Sequence, residues 1–290
     1  MDVVKYGDYF ARQGWYPANR DACLRVMEEY TKEEPEVPKE RSAQLQGGVV
    51  PHAGWAFSGD LAAKVFQTLG QDEDIDLLVL FGGHMGPASR AWILGDGVWK
   101  TPVGDLRGDP EFATELASRA GALDPAVLGP GEYQPDNTVE LQLPFARHFL
   151  KDVSLVVAGV PASKQGLALG AAAATLARER DIRAVAVGST DLTHYGINYD
   201  FMPMGMGAEA VRWVKDVNDK RAIENIERLD VETFLEDAIK RRNACCPGAA
   251  GAALTYGREQ GGREAKVIGY RTSYDVHPGN SFVGYVAAVF

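Results

Sequence analysis

From Gly47 onward, short apolar runs alternate with amphipathic stretches of helical length, and this alternation restricts the fold more than any other feature of the chain. The runs are Gly47-Gly48-Val49-Val50-Pro51, Asp76-Leu77-Leu78-Val79-Leu80-Phe81, Val153-Ser154-Leu155-Val156-Val157-Ala158-Gly159-Val160 and Ala184-Val185-Ala186-Val187-Gly188. Helical spacing falls at residues 60–69, 110–119, 141–149, 164–180, 208–218 and 231–240. A run that is apolar at nearly every position, rather than at every second one, suits a strand covered on both faces. Such strands separated by helices predict an α/β fold, with a mostly parallel central sheet flanked by helices on both faces. Two late runs, at 266–270 and 283–290, add strands near the end. The first 45 residues are polar, with a helix over about 20–29 leading into a charged, proline-containing loop at 28–41. No Pro/Gly/Ser linker divides the chain, so residues 1–290 read as one α/β domain on which segment 1–45 packs.

Composition narrows the function classes. Lysine plus arginine number 30 against 40 aspartate plus glutamate, a formal charge of −10, and an acidic surface repels nucleic acid. No apolar run reaches the length of a membrane span, and the first residues carry no basic start followed by an apolar stretch. Three cysteines, two of them adjacent, make no disulfide framework, and a reducing cytoplasm is the expected compartment. Phosphate-loop, dinucleotide and Gly-x-Ser-x-Gly signatures are absent from the sequence.

The chemistry concentrates at strand ends. Three of the five histidines, His52, His84 and His194, each follow an apolar run that breaks into glycine, proline or a small polar residue. Ligands of open α/β sheets bind beyond the carboxyl ends of the strands, so these imidazoles are expected to converge. Cys245-Cys246-Pro247-Gly248 precedes a small-residue stretch that reads as a helix start, where a thiol loses its proton more easily and becomes a metal ligand. Two neutral imidazoles and one anionic sulfur leave coordination positions open, which suits non-haem iron, copper or catalytic zinc. Asn137 and Glu140 read as pocket-lining hydrogen-bonding groups, with helix capping as the alternative for Glu140. Trp55 and Tyr195 read as walls for a planar substrate; Cys23 and His148 read as structural, and His277 as a surface turn, with reach to the site edge as its alternative.

The ordered set Val50-Pro51-His52-Ala53-Gly54-Trp55-Ala56-Phe57-Ser58-Gly59, Gly82-Gly83-His84, Asn137-Thr138-Val139-Glu140-Leu141-Gln142-Leu143-Pro144-Phe145, Ser189-Thr190-Asp191-Leu192-Thr193-His194-Tyr195 and Cys245 resembles the motifs of the Memo family. Bacterial and archaeal members are called AmmeMemoRadiSam system protein B. The resemblance covers nearly the whole chain and implies the fold of the class III extradiol dioxygenases of the LigB type. It implies His52, His84 and Cys245 as metal ligands, with Cys246 as the competing thiol. It further implies His194 as the acid–base residue, with Asp191 orienting it. Those dioxygenases carry a carboxylate where Cys245 stands, and family members usually carry a histidine where this chain has Asn137. The expected function is therefore a non-haem, Fe(II)-dependent dioxygenase or oxidoreductase acting on a small aromatic or phenolic molecule, with copper or zinc as other metals. The alternative expectation is a copper- or iron-binding regulatory protein without turnover, partnered with a radical-SAM protein.

Overall fold

The computed structural model describes residues 5–33, 45–72, 74–129 and 131–290, so most of the expected 28–41 loop lies outside the described residues. Among these, the strands in chain order are β1 (Lys5–Tyr6), β2 (Gly47–Val50), β3 (Leu77–Gly82), β4 (Trp92–Leu94), β5 (Val98–Trp99), β6 (Leu106–Gly108), β7 (Ala126–Val127), β8 (Ser154–Gly159), β9 (Ala184–Ser189), β10 (His194–Gly196), β11 (Lys266–Thr272) and β12 (Ser281–Val289). They join in one mixed sheet whose centre, in spatial order β6-β8-β3-β9-β2, is parallel throughout. β12 runs antiparallel beside β2 and carries β10 and β11, also antiparallel.

The four apolar runs form the four central strands for the reason their composition suggests. Successive strand residues point to opposite faces. On β3, Leu77, Val79 and Phe81 enter one buried cluster while Leu78 and Leu80 enter another. β8 and β9 divide the same way, Val156 and Ala186 to one side, Val157 and Val187 to the other. Helices cover both faces. Helix Trp55–Leu69 and helix Leu143–Phe149 bury against the second cluster, and helices Pro110–Arg119, Lys164–Glu179 and Pro247–Glu259 against the first. Helix starts are capped by side chains, Asp109 accepting from the Phe112 amide at 2.9 Å and Ser163 from the Gly166 amide at 3.1 Å.

Helix Pro247–Glu259 is buried on nearly every side and built from alanine and glycine. Its closeness to the sheet and to helix Lys164–Glu179 depends on two missing methyl groups. A Cβ on Gly170 would lie 1.9 Å from the Ala252 carbonyl oxygen, and one on Gly248 would lie 2.4 Å from those of Val160 and Pro161. The expected 208–218 helix is α-helical only over Ala208–Trp213 and then widens into a π turn over Val214–Asp219. The widening lets two consecutive side chains reach the segment after β9. Asp219 accepts from the Thr193 amide at 3.0 Å, and Asn218 donates to the Thr193 hydroxyl at 2.9 Å.

From β3 the chain turns toward its neighbour β8, and from β9 it leaves in the other direction toward β10 and β12. A crevice opens between strands whose connections diverge in this way. His52, His84 and Asp191 follow β2, β3 and β9 at that edge. No helix among the described residues is long and apolar enough to cross a membrane.

Candidate metal centre

Each donor is delivered by a strand end or loop whose backbone is tied down. Beyond β2, the Pro51 carbonyl accepts from Gln142 Nε2 at 2.9 Å and the His52 carbonyl from Asn137 Nδ2 at 3.0 Å. The His52 amide donates to Asp191 Oδ1 at 2.8 Å. Beyond β3, Gly83 adopts φ +88°, a conformation natural only to glycine, and its amide donates to Thr138 Oγ1 at 2.8 Å. That turn presents His84. Cys245 is clamped to the β9 exit in both directions: its amide donates to the Asp191 carbonyl at 3.0 Å, and its sulfur accepts from the Asp191 amide at 3.2 Å. Cys246 occupies the N-cap of helix Pro247–Glu259, and its amide donates to Thr190 Oγ1 at 3.1 Å.

The result is a tight donor set. One ligand atom from each of His52, His84, Cys245 and Cys246 lies within 4.8 Å of every other. The Cys245 sulfur sits 3.2 Å from His52 Nε2 and 3.6 Å from the Cys246 sulfur, and the two imidazole centroids are 5.0 Å apart. Four ligands at 2.0–2.3 Å from one tetrahedral ion are separated by roughly 3.3–3.8 Å, so the observed spacings are near those a single cation requires. Soft sulfur with imidazole fits a borderline or soft ion such as Fe(II), Zn(II) or Cu(I). Cys245 and His52 come from positions 193 residues apart.

The electrostatics pair a thiolate with an imidazolium, whose proton His52 must give up before it can ligate a metal. Burial alone would push the Cys245 thiol up, but the Cys246 S–H, His52 and His84 outweigh it and hold the thiol well below its ordinary range. Cys246 is pushed well above its range, chiefly because it donates to the Cys245 sulfur and is itself buried. One thiolate and one thiol therefore share a proton. Burial would likewise lower His52, yet Asp191 and the Cys245 sulfur raise it to about 9. Its Nδ1 meets Ser189 Oγ at 3.0 Å, which leaves Nε2 aimed at the sulfur. The Asp191 carboxyl is itself raised by burial, against the pull of His52.

Above these donors lies a cavity of about 940 Å3, lined by Trp15, Tyr16, Trp55, Phe57, Tyr199 and Tyr285 together with His52, His84, His194, His277, Asp191 and Asn137. Cys245 borders a second hollow of about 480 Å3 that shares His84, His194 and Tyr199 with the first. The donor set lies where the two meet.

Several expected roles change. Glu140 does not line the cavity. Its carboxylate accepts from the amides of Tyr9, Phe10 and Ala11 and from the Tyr16 hydroxyl, so it caps helix Tyr9–Arg12 from a distant part of the chain. Tyr195 points away because it neighbours His194 on a strand and strand neighbours face opposite ways. Its ring stacks on Phe282 at 5.2 Å and its hydroxyl donates to the Gly205 carbonyl. Asp191 has no hydrogen bond to His194; its carboxylate serves the His52 amide and lies 3.7 Å from His52 Nε2. Asn137 steadies the His52 backbone and also borders the cavity. Trp55 lines the cavity while stacking on Phe145 at 4.1 Å and donating to the Leu141 carbonyl. His194 borders both hollows, edge-on to Tyr199 at 4.8 Å. His277, Tyr199 and Tyr285 also belong to the wall. His277 reaches it from the far end of the hairpin joining β11 to β12, the alternative the sequence left open for it.

Residues 12–289 match the family described as Memo-like protein. The chain belongs to the Memo family. A MEMO1 family protein of Thermococcus onnurineus is 30% identical, the match covering 95% of this chain and 96% of the relative. One of Methanosarcina acetivorans is 32% identical over 86% of this chain and 87% of its own length. A solved structure of an uncharacterized Escherichia coli K12 protein overlaps 79% of this chain and 91% of its own at a TM-score of 0.48 and 13% identity, a distant likeness. In this Memo family chain the His52, His84 and Cys245 positions are among those the motif set pointed to, and they sit together.

The network behind the site titrates. Burial raises the Asp219 carboxyl to about 7, although Thr193 and Tyr270 donate to it. In the unfolded chain it ionises near pH 4, so between about 4 and 7 the folded state holds a proton that the unfolded state has lost. Stability therefore falls as pH rises through that window and levels off above it. Asp219→Asn is expected to remove that slope, measured as the urea midpoint from pH 4 to 8. A wild-type midpoint that rises with pH across this window while the variant stays parallel would contradict it.

Proposed function

We propose that this chain is a metal-dependent oxidoreductase of the extradiol dioxygenase kind, acting on a small aromatic, phenolic molecule. The observation that carries this reading is the meeting of two imidazoles and a thiolate-forming cysteine at an aromatic-walled cavity. Fe(II) held by His52, His84 and Cys245 would supply open coordination positions and the electron for dioxygen chemistry. The chain's own residues do the rest. Trp15, Tyr199 and Tyr285 give flat apolar surfaces against which a ring can lie. His194, in the wall of both hollows, takes the phenolic proton and returns it. Asp191 fixes the His52 backbone.

The test is oxygen uptake by anaerobically purified, iron-loaded protein offered a series of catechols. Catechol-dependent uptake is expected, and His194→Gln should lower it about 100-fold or more with iron content unchanged. An iron-loaded protein that consumes no oxygen with any catechol would end the enzyme reading.

A second reading is favoured by one observation, the presence of the Cys246 sulfur in the donor set. Two thiolates and two imidazoles would close the shell around Cu(I) and leave no place for substrate. The protein would then be a copper-holding regulatory member, with a radical-SAM protein as its proposed partner. Tightly held copper with no oxygen uptake would favour it.

A further inference from the structure

The two adjacent cysteines differ in every property that matters for oxidation. Cys245 is partly exposed and borders the smaller hollow, whereas Cys246 is buried at 2% exposure. The Cys245 sulfur receives the Asp191 amide at 3.2 Å and faces His52 Nε2 at the same distance, contacts that hold it at the mouth of the hollow. The two sulfurs lie 3.6 Å apart. A sulfur that borders a hollow, backed by a shielded one 3.6 Å away, is the arrangement of an attacking and a resolving cysteine. The remaining cysteine, Cys23, is fully buried in the opposite core, and burial pushes its thiol up to about 12.

We propose that the Cys245–Cys246 pair is a hydroperoxide-reactive modification site, closing to a vicinal disulfide that removes the sulfur ligand from the metal centre. In the first step the Cys245 sulfur attacks the peroxide. An S–O bond forms, the O–O bond breaks, and the departing oxygen leaves as hydroxide or alkoxide and takes up a proton. The sulfur loses two electrons and the peroxide gains them. In the second step the Cys246 sulfur attacks the sulfenic sulfur. The S–S bond forms, the S–O bond breaks, and hydroxyl leaves as water with the Cys246 proton. Two thiols and one hydroperoxide thus give one disulfide, one alcohol or water, and one water.

Adjacent Cα atoms are only about 3.8 Å apart, below the usual disulfide range of about 4.4–6.8 Å, so the bond is strained and easily reduced. Strained disulfides have oxidising potentials and belong to the labile, regulatory kind. Reduction by cellular thiols then restores the ligand. Because a disulfide sulfur is a poor ligand, the oxidised chain holds metal through imidazoles alone.

The deciding experiment treats the metal-free full chain with a few equivalents of hydrogen peroxide and follows intact mass, peptide mapping and metal affinity. The expected product is about 2 Da lighter, with the change confined to the peptide containing 245 and 246, and dithiothreitol reverses it. Metal affinity should fall about 100-fold in the oxidised protein and recover on reduction. Cys246→Ala should yield no such product and instead carry Cys245 on to the sulfinic acid, about 32 Da heavier. Should that variant fail to fold, the wild-type mass decides alone. Wild-type protein that gains oxygen without losing 2 Da, cross-links between chains, stays unreacted, or binds metal equally well after oxidation overturns the proposal. A reduced protein that binds no metal would overturn both the proposed function and the ligand-removal claim here; the mass shift still reads disulfide formation separately.

Discussion

His52→Ala is expected to leave a folded protein whose metal affinity is at least about 100-fold below that of the parent. Removing a group that merely orients a ligand typically costs 10–100-fold, so losing a ligand itself costs at least the upper end of that range. The fold should survive because the backbone at this position is held independently of the ring, by Asp191 at the amide and Asn137 at the carbonyl. Two consequences of the deletion both cost stability. The cavity left by a buried imidazole costs stability, and Asp191, already raised by burial, loses the partner that pulls it down. The carboxyl responds by taking a proton rather than remaining a buried charge. Equilibrium dialysis against Fe(II), Co(II) and Zn(II) measures the loss of metal affinity, and far-UV circular dichroism verifies that the fold survives. A folded variant that still holds one ion per chain would remove His52 from the ligand set.

Gly170→Val should lower stability by about 3 kcal/mol and at the same time weaken metal binding. The exchange of glycine for valine inside a helix gains only a few tenths of a kcal/mol in propensity. Against that stands a Cβ placed 1.9 Å from the Ala252 carbonyl oxygen, a backbone atom that no rotamer change can move. Overpacking of this kind costs about 1–3 kcal/mol, so the clash wins. For a chain of this size, 3 kcal/mol corresponds to a fall in Tm of roughly 6–12 °C. The coupling to the site follows from chain order. Helix Pro247–Glu259 begins immediately after Cys245 and Cys246, so pushing its Ala252 turn away from helix Lys164–Glu179 drags both sulfurs off the β9 exit. Calorimetry and metal affinity, measured on the same sample, check the pair of effects. A loss of stability with unchanged affinity would show that the helix start is held by Thr190 and Asp191 alone.

The central sheet was legible in the chain because its strands are apolar on both faces, and only a doubly covered sheet produces that composition. The same runs located His52 and His84, since a glycine- or proline-terminated strand end has one address in an α/β fold. The Cys245–Cys246 pair was legible through its small-residue helix, while the choice of Cys245 came from the family resemblance alone. What escaped notice has physical reasons. The strands Lys5–Tyr6, Val98–Trp99 and Ala126–Val127 are two residues long, too short for any period to register. Glu140 carries a capping spacing, but the helix it caps lies some 130 residues earlier, a contact with no local signature. Tyr195 differs from His194 by one position, and one position on a strand exchanges the site for the core. His194 itself opens β10 rather than following β9 directly, so it reaches the cavity through pairing with Val283 of β12.

The 193-residue gap between His52 and Cys245 has a consequence in the living cell. At about 5–20 residues per second, a ribosome delivers the sulfur roughly 10–40 s after the first imidazole. A nascent polypeptide therefore cannot assemble this candidate donor trio until Cys245 has been made. If the proposed centre takes an ion, capture would wait for Cys245 to be made and for the sheet to close, and mass action would then favour only chains that have passed both.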